Sequence, residues 1–178
     1  MKLINTEIEG CYIIEYNTFE DDRGHFSVPY NKDEFNQKLG YEVNFIQDNT
    51  SYSYSGVIRG LHFQKGEFAQ AKLVTCTQGA VLDVAVDIRK ESPTYGNVVK
   101  VELGWNKNRL LFVPRGCAHG FSVLSGMATF QYKVDNQYNK EAEGGIIYND
   151  PTLKIDWRIN SQLKVSEKDL ELPTFLSL

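Results

Sequence analysis

The stretch "AKLVTCTQGAVLDVAVDI", Ala71 to Ile88, decides the fold. Valine, leucine, isoleucine and threonine crowd it on both sides of Gln78-Gly79, and these residue types favour a pleated, half-buried strand. The expectation is two strands, 71–77 and 80–88, broken at a glycine turn signal. Period-two alternation then sorts the side chains by face. Leu82, Val84, Val86 and Ile88 point one way, and Asp83 and Asp87 point the other with Val81 and Ala85. On the first strand Lys72 shares a face with Val74 and Cys76. A lysine and an aspartate inside apolar strands are costly unless they are paired or used.

The same texture runs outward through most of the chain. Short runs rich in Val, Ile, Tyr, Phe and Thr at 11–16, 25–30, 43–50, 57–64, 98–103, 109–113, 118–123 and 128–134 are separated by Gly, Asn, Asp or Pro. Such spacing predicts an all-β sandwich or barrel. One helix is well marked, with Asn31 as cap, Glu34 at the third position and Gly40 to close it. A second short helix is expected after Ser166.

At 178 residues the chain suits one domain, 1–178, with a real core. The net charge of −4 comes with scattered Lys and Arg, which argues against a nucleic-acid partner. The start "MKLINTEIEG" has no apolar signal-peptide core, and no run approaches the roughly 20 apolar residues of a membrane span, so a cytoplasmic protein is expected. Cys11, Cys76 and Cys117 form no C-x-x-C pair and read as reduced packing residues.

Against that background the polar interruptions stand out: Arg59 and His62 in "GVIRGLHFQ", Lys72, Asp83, His119, and Tyr132 beside Phe130 and Val134. A β domain with a polar interior holds a ligand. Arg59 and His62 are three apart and would face opposite sides of a regular strand, so a bulge or bend is expected at Gly60 to bring both to one cavity. A neutral imidazole, a phenol and an ammonium together suit proton abstraction beside a carbonyl, oxyanion stabilisation and return of a proton. A base at His62 needs an orienting carboxylate, for which Asp83 and Asp169 are the candidates, although Ser166-x-x-Asp169 is also a helix-capping pattern. A metal site is the rival reading, since His62, His119 and Asp83 supply the donor types of a facial triad; no H-x-H or H-x-x-x-H pair supports it.

The stretches "DDRGHF", "FIQDNTS", "GVIRGLHFQ", "AKLVTCTQGAVLDVAVDIRKESPTYG", "FVPRGCAHGFSVLS", "FQYKVDNQY" and "SEKD" give the chain a nearly end-to-end resemblance to the dTDP-4-dehydrorhamnose 3,5-epimerase family. The resemblance implies a cupin-type jelly-roll, or double-stranded β-helix, with a few short helices and neither metal nor cofactor. It implies N-terminal strands at about 1–50 exchanged in a homodimer, a jelly-roll at about 51–135, and a segment at 136–178 packed over the site. It places the base on His62, its orienting carboxylate on Asp169, the proton donor on Tyr132 and the enolate stabiliser on Lys72. Substrate contacts fall on Arg23, Gln47, Asn49, Arg59, His119, Glu143 and Lys168, with Tyr138 stacking on thymine; Asp83, Phe19 and Phe26 are further candidates. Arginine forks onto diphosphate oxygens, and a tyrosine face suits a base.

The substrate so implied is dTDP-4-dehydro-6-deoxyglucose, whose C4 ketone acidifies the hydrogens at C3 and C5 and serves as electron sink. One departure bears on base selectivity. The family pattern carries a nucleotide-contacting glutamate where "RGHFSVPY" has Val28, and losing one buried polar contact costs about 1–3 kcal/mol. Three alternatives remain: a single-centre epimerase, an epimerase of another nucleoside diphosphate sugar, and a non-catalytic sugar-binding cupin.

Overall fold

A computed structural model describes residues 1–178. Two antiparallel sheets face one another. The six-stranded sheet runs β1 (Lys2–Asn5), β2 (Tyr12–Glu15), β10 (Arg109–Val113), β7 (Lys72–Gln78), β12 (Met127–Val134), β5 (Gln47–Tyr54). The five-stranded sheet runs β13 (Glu143–Gly145), β6 (Ile58–Gln64), β11 (Cys117–Val123), β8 (Ala80–Asp87), β9 (Val98–Gly104). Consecutive strands β7 and β8 lie in different sheets, so the turn at Gly79 crosses between the layers. Its φ of +77° and the clash an added Cβ would make with the Met127 carbonyl oxygen leave room only for glycine. Neither sheet closes on itself, and the all-β, cupin-type architecture is the one expected.

The alternation read from the sequence sorts the core as anticipated. Val81 and Ala85 of β8 join Val74 and Cys76 of β7, Phe130 of β12 and Phe121 of β11 between the sheets. Leu82, Val84 and Val86 face outward instead, under Ile146, Trp157 and Phe175 of the C-terminal segment. Over much of its extent the five-stranded sheet is thus packed on both faces. The C-terminal segment roofs this outer face with Ile146, Trp157 and Phe175, and it reaches the cleft described below through Tyr138 and Glu143 and again through residues 164–169. The six-stranded sheet is covered on its outer side by α1 (Lys32–Leu39), which buries Phe35 against Leu73, Leu110 and Phe112. Asn31 caps that helix by accepting from the Glu34 N–H at 3.0 Å, and Gly40 closes it at φ +84°. The Glu34 carboxylate does not return the bond, because it is engaged by the chain's amino terminus.

β1, β2 and β5 all pair within this chain's own six-stranded sheet. The β3 (Thr18–Asp21) and β4 (Gly24–Ser27) hairpin pairs with no other strand and stands away with Phe19 62% and Phe26 66% exposed. Cys11, Cys76 and Cys117 are buried free thiols. No helix is long and apolar enough to cross a membrane.

Candidate active site

At one end of the gap between the sheets the inner side chains change from apolar to polar. Along β7 the inward series runs Cys76, Val74, Lys72, and along β12 it runs Ala128, Phe130, Tyr132. The apolar packing ends at Phe121 and Phe130, one from each sheet, stacked at 4.3 Å between ring centroids. Beyond them opens a cleft of about 510 Å³ lined by Arg59, His62, Lys72, His119, Tyr132 and Asp169, among others. A second chamber of about 200 Å³ shares His62, Lys72 and Tyr132 and adds Gln47, Asn49, Tyr138 and Glu143. The two volumes together suit one elongated, largely polar ligand.

The bulge expected at Gly60 is present. His62 lies opposite His119 and Arg59 opposite Phe121, so β6 advances three residues while β11 advances two. The extra residue resets the alternation, and Arg59 and His62 line the same cleft. Glycine is required there: φ is +112°, and an added Cβ would lie 2.7 Å from the Gly120 Cα and the His119 carbonyl oxygen.

The choice of carboxylate beside His62 is resolved by contact. His62 Nε2 lies 2.8 Å from Asp169 Oδ1, and the Gly60 N–H donates to Asp169 Oδ2 at 3.2 Å. Asp169 is buried within α2 (Glu167–Leu170), and its own N–H donates to the Ser166 cap at 3.1 Å. Half of the capping arrangement is therefore made, while the Asp169 side chain is turned inward to the histidine. Burial alone would raise the Asp169 pKa, but bonds from His62, Gly60 and Ser166 outweigh it and hold the carboxylate below its ordinary value.

Asp83 serves the other histidine. His119 Nε2 is 2.9 Å from Asp83 Oδ1, and Asp83 is fully buried beneath it with Oδ2 unpartnered. His62 and His119, opposite one another on the paired strands β6 and β11, thus each hold a carboxylate, one from α2 and the other from β8. Lys72 makes no ion pair; burial is the main cause that brings its pKa down to about 8, against the opposing pull of Asp83 and Glu143. Burial raises the Tyr132 phenol above its usual value, so it carries its proton at neutral pH. In the smaller chamber Tyr138 donates to Glu143 at 2.8 Å and Lys168 meets the same carboxylate at 2.6 Å. Gln47 donates to Asn49 at 2.7 Å.

Arg23, Phe19 and Phe26 are the expected site residues that this chain does not bring to the cleft. All three lie on the free hairpin, where Arg23 pairs only with the neighbouring Asp21, at 2.6 Å. Val28 follows the hairpin, exposed. The sequence reading missed Ser51 and Ser53, which line the cleft or hold its arginine; Ser53 Oγ accepts from Arg59 Nε at 3.0 Å. Their signal was the inward alternation Gln47, Asn49, Ser51, Ser53 on β5, masked by its wholly polar composition. No group of three or more His, Cys, Asp or Glu is gathered in metal-binding geometry.

What such a site can do follows from its walls. Arg59, His62 and His119 come from the five-stranded sheet, and Asn49, Lys72 and Tyr132 come from the six-stranded one. A carboxylate-oriented imidazole thus stands on one wall and a protonated phenol on the other.

Comparison with known proteins agrees with this chemistry. The model of the dTDP-4-dehydrorhamnose 3,5-epimerase family matches residues 5–177. The dTDP-4-dehydrorhamnose 3,5-epimerase of Escherichia coli K12 is 51% identical over 174 residues, 98% of this chain and 94% of that protein. The crystal structure of the Elizabethkingia anophelis dTDP-4-dehydrorhamnose 3,5-epimerase superposes with a TM-score of 0.95 at 50% identity, covering 99% of this chain and 97% of that one. The Legionella pneumophila enzyme, solved in complex with dTDP-4-keto-L-rhamnose, gives a TM-score of 0.94 at 43% identity over 98% of this chain and 93% of that one. With its family model matched almost from end to end and its polar cleft between two sheets, this chain belongs to the dTDP-4-dehydrorhamnose 3,5-epimerase family.

Proposed function

We propose that the protein epimerises dTDP-4-dehydro-6-deoxy-D-glucose at C3 and C5 to dTDP-4-dehydro-L-rhamnose, without a cofactor, in dTDP-L-rhamnose synthesis. The observation that carries this reading is the placement of His62 and Tyr132 on opposite walls of one cleft. Epimerisation requires a proton to leave one face of a carbon and return to the other. His62, oriented by Asp169, takes the proton next to the C4 ketone. The Lys72 ammonium, which with a pKa of about 8 is still mostly protonated at neutral pH, holds the enolate oxygen. Tyr132 returns a proton at C5 from the facing wall. The ketone is the electron sink, so atoms and electrons balance with no redox step.

Arg59 and His119 are assigned to the diphosphate and sugar end, and Gln47, Asn49, Tyr138, Glu143 and Lys168 to the thymidine end. Arg23, Phe19 and Phe26 complete the nucleotide site of a second copy in a homodimer. The support is the hairpin's lack of any partner strand in its own chain and its exposed aromatic pair. A cytoplasmic setting suits a sugar-nucleotide substrate and three free thiols.

The test is incubation with dTDP-4-dehydro-6-deoxyglucose in deuterium oxide, following label by NMR. Deuterium at both C3 and C5 is expected. Label at one carbon would make the protein a single-centre epimerase, and none with this substrate would turn attention to other nucleoside diphosphates, with Val28 as the first position to restore to glutamate.

A further inference from the structure

Four buried side-chain atoms in the molecule lack a hydrogen-bond partner: Thr18 Oγ1, Ser51 Oγ, Asp83 Oδ2 and Arg109 Nε. Of these residues only Ser51 lines the cleft. It sits in the middle of the inward row on β5, and its neighbours in that row are occupied. Gln47 donates to Asn49, and Ser53 accepts from Arg59. A serine in a strand ordinarily satisfies its hydroxyl on nearby backbone or side chains, so a buried, unpaired one on a residue that lines a ligand cavity is free to turn about χ1 toward a partner in that cavity.

The register locates this hydroxyl. Ser51 lies opposite Phe130, and Asn49 lies opposite Tyr132, so Ser51 is the diagonal neighbour of Tyr132 on the inner face. It shares the larger chamber with Arg59, His62, Lys72 and Tyr132 and is absent from the smaller one that holds Tyr138 and Glu143. Its place is therefore at the reacting end of the ligand.

Resting on the proposed function, we infer that Ser51 is a substrate-binding residue whose hydroxyl hydrogen-bonds an oxygen on the sugar ring, on the wall that carries Tyr132. A hydroxyl both donates and accepts, so it reads a ketone or a hydroxyl oxygen but leaves a methyl group unmatched. The bond fixes how the ring lies against the phenol.

The experiment compares wild type, Ser51→Ala and Ser51→Thr for kcat and KM with dTDP-4-dehydro-6-deoxyglucose, for the Kd of dTDP alone, and for Tm. Ser51→Ala is expected to raise KM by about 5- to 100-fold, the range for stranding one hydrogen bond. Its dTDP affinity and Tm should match wild type, because the hydroxyl has no partner in the free protein, and Ser51→Thr should recover most of the loss. An active wild type with an unchanged Ser51→Ala KM overturns the inference. So does a loss of dTDP affinity equal to the loss for the sugar nucleotide, which would place the bond on the diphosphate, or a fall in Tm, which would make the hydroxyl structural. A wild type inactive on this ketosugar instead sinks the functional reading on which the inference rests.

Discussion

Lys72 shows how a single residue trades stability for chemistry. Its pKa falls to about 8 on folding, chiefly through burial. Below pH 8 the folded protein carries the cost of a charged, poorly solvated ammonium. As pH rises from about 8 toward the unfolded value near 10.4, the folded lysine has shed its proton while the unfolded one keeps it, and the penalty disappears. Lys72→Met should therefore stabilise the fold at pH 7, on the order of 1–3 kcal/mol after allowing for the lysine's partial access to the cleft, while turnover collapses. Denaturant melts at pH 7 and pH 10 check it, since the stability gain should shrink at the higher pH. The same pKa sets the alkaline limb of the rate, which should decline above about pH 8. His62→Ala should cut kcat by about 10²–10⁴-fold and leave dTDP affinity near wild type, as calorimetry alongside the turnover assay would show. These residues were legible in the sequence because each interrupts an apolar strand. Ser51 was not, because polar alternation on a strand looks the same whether its inner face meets water or a ligand.

At the scale of elements, the bulge in β6 and the short helix α2 do the positioning. Gly60→Ala puts a methyl group against the backbone of β11 at a φ of +112°, so both strands must shift. The expected result is a lower Tm together with a loss of activity larger than the loss of folded protein, because Arg59 and His62 no longer share one cavity. Asp169→Asn tests the other device. Because the native Asp169 pKa is held below its unfolded value, its contribution to stability is present above about pH 4 and is lost as pH falls through the folded pKa. The variant should lose that acid dependence and have a reduced kcat, yet keep α2, whose cap uses the Asp169 backbone N–H. Strand existence was readable from β-branched runs, and the bulge from one glycine and a parity mismatch. Boundaries were less so. β5 was expected at 43–50 and lies at Gln47–Tyr54, while β1, β3 and β13 are too short or too polar to announce themselves.

At the scale of the whole molecule, the proposed homodimer is what the hairpin tests. The hairpin carrying Arg23 holds its aromatics in solvent, while Ser27 at its base and His25 nearer its turn edge a groove of about 450 Å³ on the outer side of the six-stranded sheet with Thr75, Gln131 and Trp105. Replacing Phe19 and Phe26 with Ser is expected to weaken self-association in sedimentation equilibrium and to raise KM without changing the intrachain fold by circular dichroism. A dimer of unaltered strength would remove the hairpin from the interface. Strand patterning alone could not have shown that these aromatics are exposed, since an exposed hairpin and a buried one share the same pattern of residues.

The stacked rings of Phe121 and Phe130 have a mechanical consequence. Each ring belongs to a different sheet, and the pair forms the last rung of hydrocarbon before the cleft. Its thickness therefore acts as a calliper that sets the distance from the imidazole jaw to the phenol jaw. Proton transfer is steeply sensitive to such a gap. Widening or narrowing the rung, as in Phe130→Leu or Phe121→Trp, should alter the rate with every polar group still in place, so that the enzyme's timing is held in part by grease.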